Sequence, residues 1–144
     1  MGMKAYQKNY AGLWIDHFQT VIVSITDNGE TIKRIDSDIE RKVRLSGGSR
    51  TAKTPYGPQQ VSVDGKQQER INRQLRQYYQ EIIQRIQDAT KILILGPGKA
   101  KTELKKELEK SRGLVAKKIT LEPADKMTER QVVAKVRQFF KGSQ

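Results

Sequence analysis

The chain has no cysteine and a single histidine, His17, among its 144 residues. Disulfide staples and thiolate chemistry are therefore excluded, and one imidazole is too few for a histidine-based metal site. Proline is scarce, at 4 residues, and tryptophan occurs once. No apolar run approaches the roughly 18–20 residues that span a bilayer. The opening MGMKAYQKNY also lacks the apolar stretch of a secretion signal. Hydrophobic residues make up 35% of the chain, enough for one compact core in a single domain over 1–144. Acid is short too: 16 Asp and Glu stand against 28 Lys and Arg, a formal net charge of +12. Basic excess on this scale favours nucleic acid as partner. The expectation is a cytoplasmic protein, bound to RNA or the ribosome rather than to a membrane, with no cofactor.

What is present begins with three strands. Residues 10–36 read as an antiparallel β-meander: Gly12 to Asp16, then Thr20 to Thr26, rich in β-branched residues, then Thr31 to Asp36. Asp27-Asn28-Gly29-Glu30 predicts a type I′ hairpin turn, with Asn-Gly supplying the positive φ. Residues 1–9 are polar and predicted loose. Asp16 and His17 fall in the turn after the first strand. Hydrogen bonding within that turn explains them more simply than a two-metal nuclease centre, because the fourth strand offers no converging carboxylate.

The half from 66 to 141 reads α-β-α-β-α. The spacing predicts a helix from Lys66 to Ala89, with Ile71, Leu75, Tyr78, Ile82, Ile86 and Ala89 on one stripe. Its other face is Arg and Gln: Arg70, Arg73, Gln74, Arg76, Gln77, Gln80, Gln84 and Arg85. Ile92 to Leu95 is continuously apolar, the mark of a strand buried on both faces. Gly96-Pro97-Gly98 turns the chain into a helix over Lys99 to Ser111, with Gly113 near its C-cap. Leu114 to Leu121 predicts a fifth strand, broken by Glu122-Pro123. Thr128 and Gln131 have capping-box spacing, and Val132, Val133, Val136, Phe139 and Phe140 line a last helix ending at Gly142. The fold class is therefore α/β, a single mixed sheet. Right-handed crossovers set strand four beside strand one, giving the order 3-2-1-4-5.

One segment has neither period. Residues 41–66, RKVRLSGGSRTAKTPYGPQQVSVDGK, carry Arg41, Lys42, Arg44, Arg50, Lys53 and Lys66 against the single acid Asp64. So long a stretch without pattern predicts a flexible basic loop, either of functional use or a solvated insertion whose charge only aids solubility. Phosphate contact is expected from Lys42, Arg44, Arg50, Lys53 and Lys66, around Gly47, Gly48 and Ser49, with Arg70 and Arg73 continuing the patch onto the helix. A second candidate is an anion site at Gly96, Gly98 and Lys99, where a strand runs into a helix N-terminus. It is not a Walker A loop, since Ala100 stands where glycine is required. Packing is the simpler role for those glycines.

Three segments together carry a resemblance: Leu13 to His17, Ile94 to Lys99 with Lys101-Thr102-Glu103-Leu104, and Thr128 to Phe140. They resemble a family of small bacterial proteins labelled translational machinery proteins. That family is related to the middle domain of archaeal and eukaryotic class I release factors and of Pelota. The resemblance implies a mixed five-stranded sheet, which agrees with the order read from the residues, and ribosomal proteins share that fold. In the release factors a Gly-Gly-Gln motif between the third strand and the first helix promotes hydrolysis of peptidyl-tRNA. Gly47-Gly48-Ser49-Arg50 stands at a comparable position here, with the two glycines and without the glutamine. The expectation is a translation-related module without efficient catalysis. The alternatives are a peptidyl-tRNA hydrolase or rescue factor acting through Gly47-Gly48-Ser49, and an interaction module for an acidic protein partner.

Overall fold

The computed structural model describes residues 8–39, 65–111 and 118–141. The basic segment up to Asp64, Gly113 and the stretch from Leu114 to Lys117 lie outside the described residues. Among the described residues eight elements follow in the predicted order: β1 Asn9–Ile15, β2 Gln19–Thr26, β3 Gly29–Asp36, α1 Gly65–Ile86, β4 Lys91–Gly96, α2 Ala100–Lys110, β5 Lys118–Pro123 and α3 Glu129–Lys141. The sheet order is β3-β2-β1-β4-β5, as predicted. β1 and β2, and β2 and β3, pair antiparallel, whereas β4 runs parallel to both β1 and β5.

The sheet is covered on both faces. Successive side chains of a strand point to opposite sides, so β4 divides its apolar run between two cores. Ile92 and Ile94 join Leu13, Ile15 and Ile22 beneath α1 and α2. Leu93 and Leu95 join Trp14, Val21 and Val23 beneath α3. The stripe of α1 is wider than predicted: Tyr79 and Ile83 are buried beside Tyr78, Ile82 and Ile86, while Ile71 and Leu75 are half-buried. Ala100, Leu104 and Leu108 of α2 are fully buried, as are Val132 and Val136 of α3. The buried hydroxyls are satisfied: Thr20 donates to the Trp14 carbonyl at 2.6 Å and Ser37 to that of His17 at 2.7 Å. Trp14 Nε1–H donates to the Asp125 carbonyl at 3.0 Å.

Close packing explains two glycines. A Cβ on Gly12 would lie 2.5 Å from Val136 Cγ2, so glycine lets α3 settle on β1. Gly96 has φ +154°, and a Cβ there would meet the Ile15 carbonyl oxygen at 2.1 Å. Glycine at 96 is thus a packing requirement at the end of β4.

Several boundaries and one turn differ from expectation. β1 begins at Asn9 rather than Gly12, because Thr90 N–H reaches the Asn9 carbonyl at 2.8 Å and Lys8 N–H reaches Asp27 Oδ2 at 3.1 Å. The β2–β3 turn is centred on Asp27-Asn28, since Thr26 pairs with Gly29. It is not type I′, which needs positive φ at both central residues. Among the described non-glycine residues only Asp38 has positive φ, and in this turn the left-handed residue is Gly29. Thr26 Oγ1 holds the turn by accepting Asn28 N–H at 3.1 Å. β5 runs through Pro123 instead of stopping before it, because at a sheet edge a missing amide need not break a ladder. α1 ends at Ile86, and Ala89 packs into the core from a closing turn. α2 ends at Lys110, capped by Ser111. The capping box of α3 is present and reciprocal. Thr128 N–H donates to Gln131 Oε1 at 2.8 Å, and Gln131 N–H to Thr128 Oγ1 at 3.2 Å.

Candidate nucleic-acid interface

Burying Tyr78, Tyr79, Ile82, Ile83 and Ile86 turns the opposite face of α1 to solvent. At helical spacing this face carries Lys66, Arg70, Arg73, Gln77, Gln80 and Gln84 in one row, with Arg76 and Arg85 alongside, all exposed. The helix holds five basic side chains, Lys66, Arg70, Arg73, Arg76 and Arg85, against two acids, Glu69 and Glu81. Lys66, Arg73, Arg76 and Arg85 form no ion pair among the described residues. Arg73, Arg76, Gln77, Gln80, Glu81 and Gln84 line a shallow hollow there. Arginine forks beside glutamine amides offer both charge and hydrogen bonds, the chemistry of contacts to phosphate and sugar. Gln74 departs from the expected outer row: it is half-buried, and its Nε2 donates to the Ser37 carbonyl at 2.7 Å, tying α1 to the end of β3.

Of the predicted contact residues, the structure places Lys66, Arg70 and Arg73 together on this face. Lys42, Arg44, Gly47, Gly48, Ser49, Arg50 and Lys53 lie outside the described residues.

The candidate anion site stands at the start of α2. Gly96 is buried, whereas Gly98, at φ +62°, and Lys99 are exposed. Lys99 is the N-cap and makes no side-chain capping bond. Lys101 Nζ donates to the Gly98 carbonyl at 2.9 Å, and Glu103 places a carboxylate of the protein in the first turn. That carboxylate meets the positive end of the helix dipole.

Glu103 also anchors a cluster that sequence reading missed. Its Oε1 accepts Tyr79 O–H at 2.6 Å and His17 Nε2–H at 2.9 Å. Nearby, Tyr78 O–H donates to the Asp16 carbonyl at 2.9 Å, and Asp16 Oδ1 accepts the amides of Phe18 and Gln19 at 2.8 and 2.9 Å. The turn-bonding role expected for Asp16 is thus present. His17 differs: it reaches across to α2, clasping the β1–β2 turn, α1 and α2 at the carboxyl ends of β1 and β4. Glu103 stands 86 positions from His17, and Tyr78 stands 62 from Asp16, so no local spacing could have signalled the cluster.

No family model matches the sequence, and no curated protein matches it either. Solved structures do match. The Pelota protein of Thermoplasma acidophilum superposes at TM-score 0.54 with 16% identity, over 92% of this chain and 33% of that one. Archaeoglobus fulgidus Pelota superposes at TM-score 0.52 with 11% identity, over 95% of this chain and 33% of that one. An archaeal translation termination factor, aRF1, gives TM-score 0.44 at 10% identity. The chain thus spans about a third of the length of the Pelota proteins it matches. It has the fold of one part of them.

Proposed function

We propose that the chain is a ribosome- or RNA-associated module related to translation, which contacts phosphates through a basic surface and works without efficient catalysis. The observation that carries this is the exposed basic face of α1, where Lys66, Arg73, Arg76 and Arg85 form no ion pair within the described residues. The net charge of +12 supports it. The Pelota-like fold and the sequence resemblance to the bacterial translational machinery proteins support the choice of translation. In this reading Lys42, Arg44, Arg50 and Lys53, around Gly47-Gly48-Ser49, extend the contact beyond Lys66, Arg70 and Arg73, and the protein acts in the cytoplasm.

Catalysis by Gly47-Gly48-Ser49 lacks the amide that glutamine supplies in the related motif. Serine could act as a nucleophile only with a base in reach, and the one histidine is engaged with Glu103. Co-sedimentation with ribosomes over a salt series tests the binding. Replacing Arg44, Arg50 and Lys53 together with Ala is expected to weaken it and to lower the salt slope by about two to three. An unchanged slope removes the segment from the interface. Release of labelled peptide from peptidyl-tRNA tests the catalysis: negligible turnover is expected. Turnover near that of a release factor, abolished by Gly48→Ala, would replace this reading with the enzymatic one.

A further inference from the structure

β3 is an edge strand, and among the described residues no strand pairs with its outer side. The phase of the ladder fixes which backbone groups face out. Ser37 N–H donates to the Phe18 carbonyl at 2.9 Å, so these opposed residues form a hydrogen-bonded pair. Alternation along an antiparallel ladder carries that phase to Thr20/Ile35, Ile22/Lys33, Ser24/Thr31 and Thr26/Gly29. The amides and carbonyls of Glu30, Ile32 and Arg34 therefore point away from β2. Their side chains share the α3 face: Arg137 Nε and Nη2 donate to Glu30 at 2.7 and 2.9 Å, and Arg34 lies 3.4 Å from Glu129. Between them sits Ile32, 45% exposed, the one large hydrophobic left in solvent among the described residues.

We propose that β3 pairs antiparallel with β3 of a second copy of this chain, about a two-fold axis through Ile32, so that two five-stranded sheets join edge to edge. Outward backbone groups must meet outward groups, so the register can slide only in steps of two. With Ile32 opposite Ile32, Glu30 of each copy faces Arg34 of the other, and symmetry makes the match twice. Sliding one way sets Glu30 against Asp36 and Ile32 against Arg34. Sliding the other way sets Glu30 against Ile32 and Arg34 against Asn28. Of these registers only the one with its axis at Ile32 opposes unlike charges, which is the favourable cross-strand arrangement. It also closes the exposed isoleucine against its own copy. The pairs to α3 then extend each contact into an alternating row, Arg137, Glu30, Arg34, Glu129. The pattern is self-complementary, which is why the occupant is a second copy rather than another strand. This pairing is independent of the RNA reading, since α1 lies on the other face of the sheet.

The native chain has no cysteine, so Ile32→Cys gives each copy one thiol. In a hydrogen-bonded antiparallel pair the opposed Cα atoms lie about 5.5 Å apart, within disulfide range. Two Arg34→Cys positions would stand four residue steps apart, roughly 14 Å. Mild oxidation of the full chain is expected to cross-link Ile32→Cys into dimers and to leave Arg34→Cys as single chains. In sedimentation equilibrium the parent mass is expected to rise with concentration toward that of two chains. Ile32→Pro removes an outward amide without touching the β2 ladder, and is expected to keep its circular dichroism and lose the dimer. The proposal fails if the parent keeps a single-chain mass up to its solubility limit. It fails equally if Arg34→Cys cross-links as fast as Ile32→Cys, or if folded Ile32→Pro dimerises like the parent. Should Ile32→Pro not fold, the parent mass and the cysteine pair decide alone.

Discussion

α1 and α3 are both amphipathic helices rich in arginine and lysine, yet they use that charge differently. α3 spends half of it on the sheet: Arg137 grips Glu30 of β3 at 2.7 Å and Lys135 meets Glu122 of β5 at 3.2 Å, while its acid Glu129 meets Arg34. Arg130 and Lys141 of α3 form no ion pair among the described residues. α2 pairs within itself, Lys105 with Glu109 and Lys110 with Glu107. On α1, Lys66, Arg73, Arg76 and Arg85 stand exposed with no such partner among the described residues. Composition alone would rank the two helices as equal candidates for a polyanion. Geometry separates them. Charge answered across the sheet holds α3 in place, whereas the unanswered charge of α1 is the more available to a polyanion.

The largest effect expected lies beneath α1, not on it. Ile82 is fully buried and Gln80 fully on the outer face. Ile82→Ala is expected to cost about 2–5 kcal/mol, as large-to-small core changes do, and Gln80→Ala close to nothing. Chemical denaturation checks both, and equal small effects would mean that the wrong face of α1 has been taken as buried.

Beneath α3 the corresponding point is Gly12. Adding a methyl there drives it into Val136, so Gly12→Ala is expected to cost about 1–3 kcal/mol, the usual range for overpacking. Because the obstacle is the end of one side chain, Val136→Ala in the same molecule should return part of that loss. A double-mutant cycle reads the coupling, and strict additivity would show that the two residues do not meet.

Smaller effects separate the two charged faces themselves. Arg137→Ala is expected to lower stability only slightly, since the pair is exposed to solvent and screened. The same change at Arg73 should leave stability unchanged. Acid should reveal the Arg137 pair further. The hydrogen bond from Arg137 holds the Glu30 carboxyl below its ordinary value, burial opposes this, and the charge of Arg137 adds to the lowering. A depressed carboxylate contributes stability above its unfolded pKa and loses it as pH falls through the folded one. The stability gap between parent and Glu30→Gln is therefore expected to be present at neutral pH and to close in acid. A gap that widens in acid would reverse the sign assigned here.

The sequence disclosed what is periodic or handed. Ile92 to Leu95 announced a strand buried on both faces, and its side chains do divide between two cores. The handedness of crossovers placed β4 beside β1, which fixed the whole strand order. The capping box at Thr128 and Gln131 was legible because both partners lie within one turn. Contacts that depend on layering were not legible. Arg137 and Glu30 are 107 residues apart, and Trp14 finds its acceptor at Asp125, 111 residues on. Nothing local tells which arginine of two similar helices will find a carboxylate across the sheet. The arginine row of α1 was visible as a pattern, but its contrast with α3 required the fold. The basic segment before α1 was legible only as composition, and its candidate contacts, Arg44, Arg50 and Lys53, fall outside the described residues.

Ribosome co-sedimentation over a salt series, with two charge-matched variants, tests the central claim most directly. One variant carries Arg73→Ala and Arg76→Ala, the other Lys135→Ala and Arg137→Ala, so each loses two positive charges. If α1 is the contact, the first variant should bind more weakly with a salt slope smaller by about two, while the second keeps the parent slope. Equal weakening in both would mean that net charge alone governs binding, and a loss confined to the α3 variant would place the interface on the opposite side of the sheet.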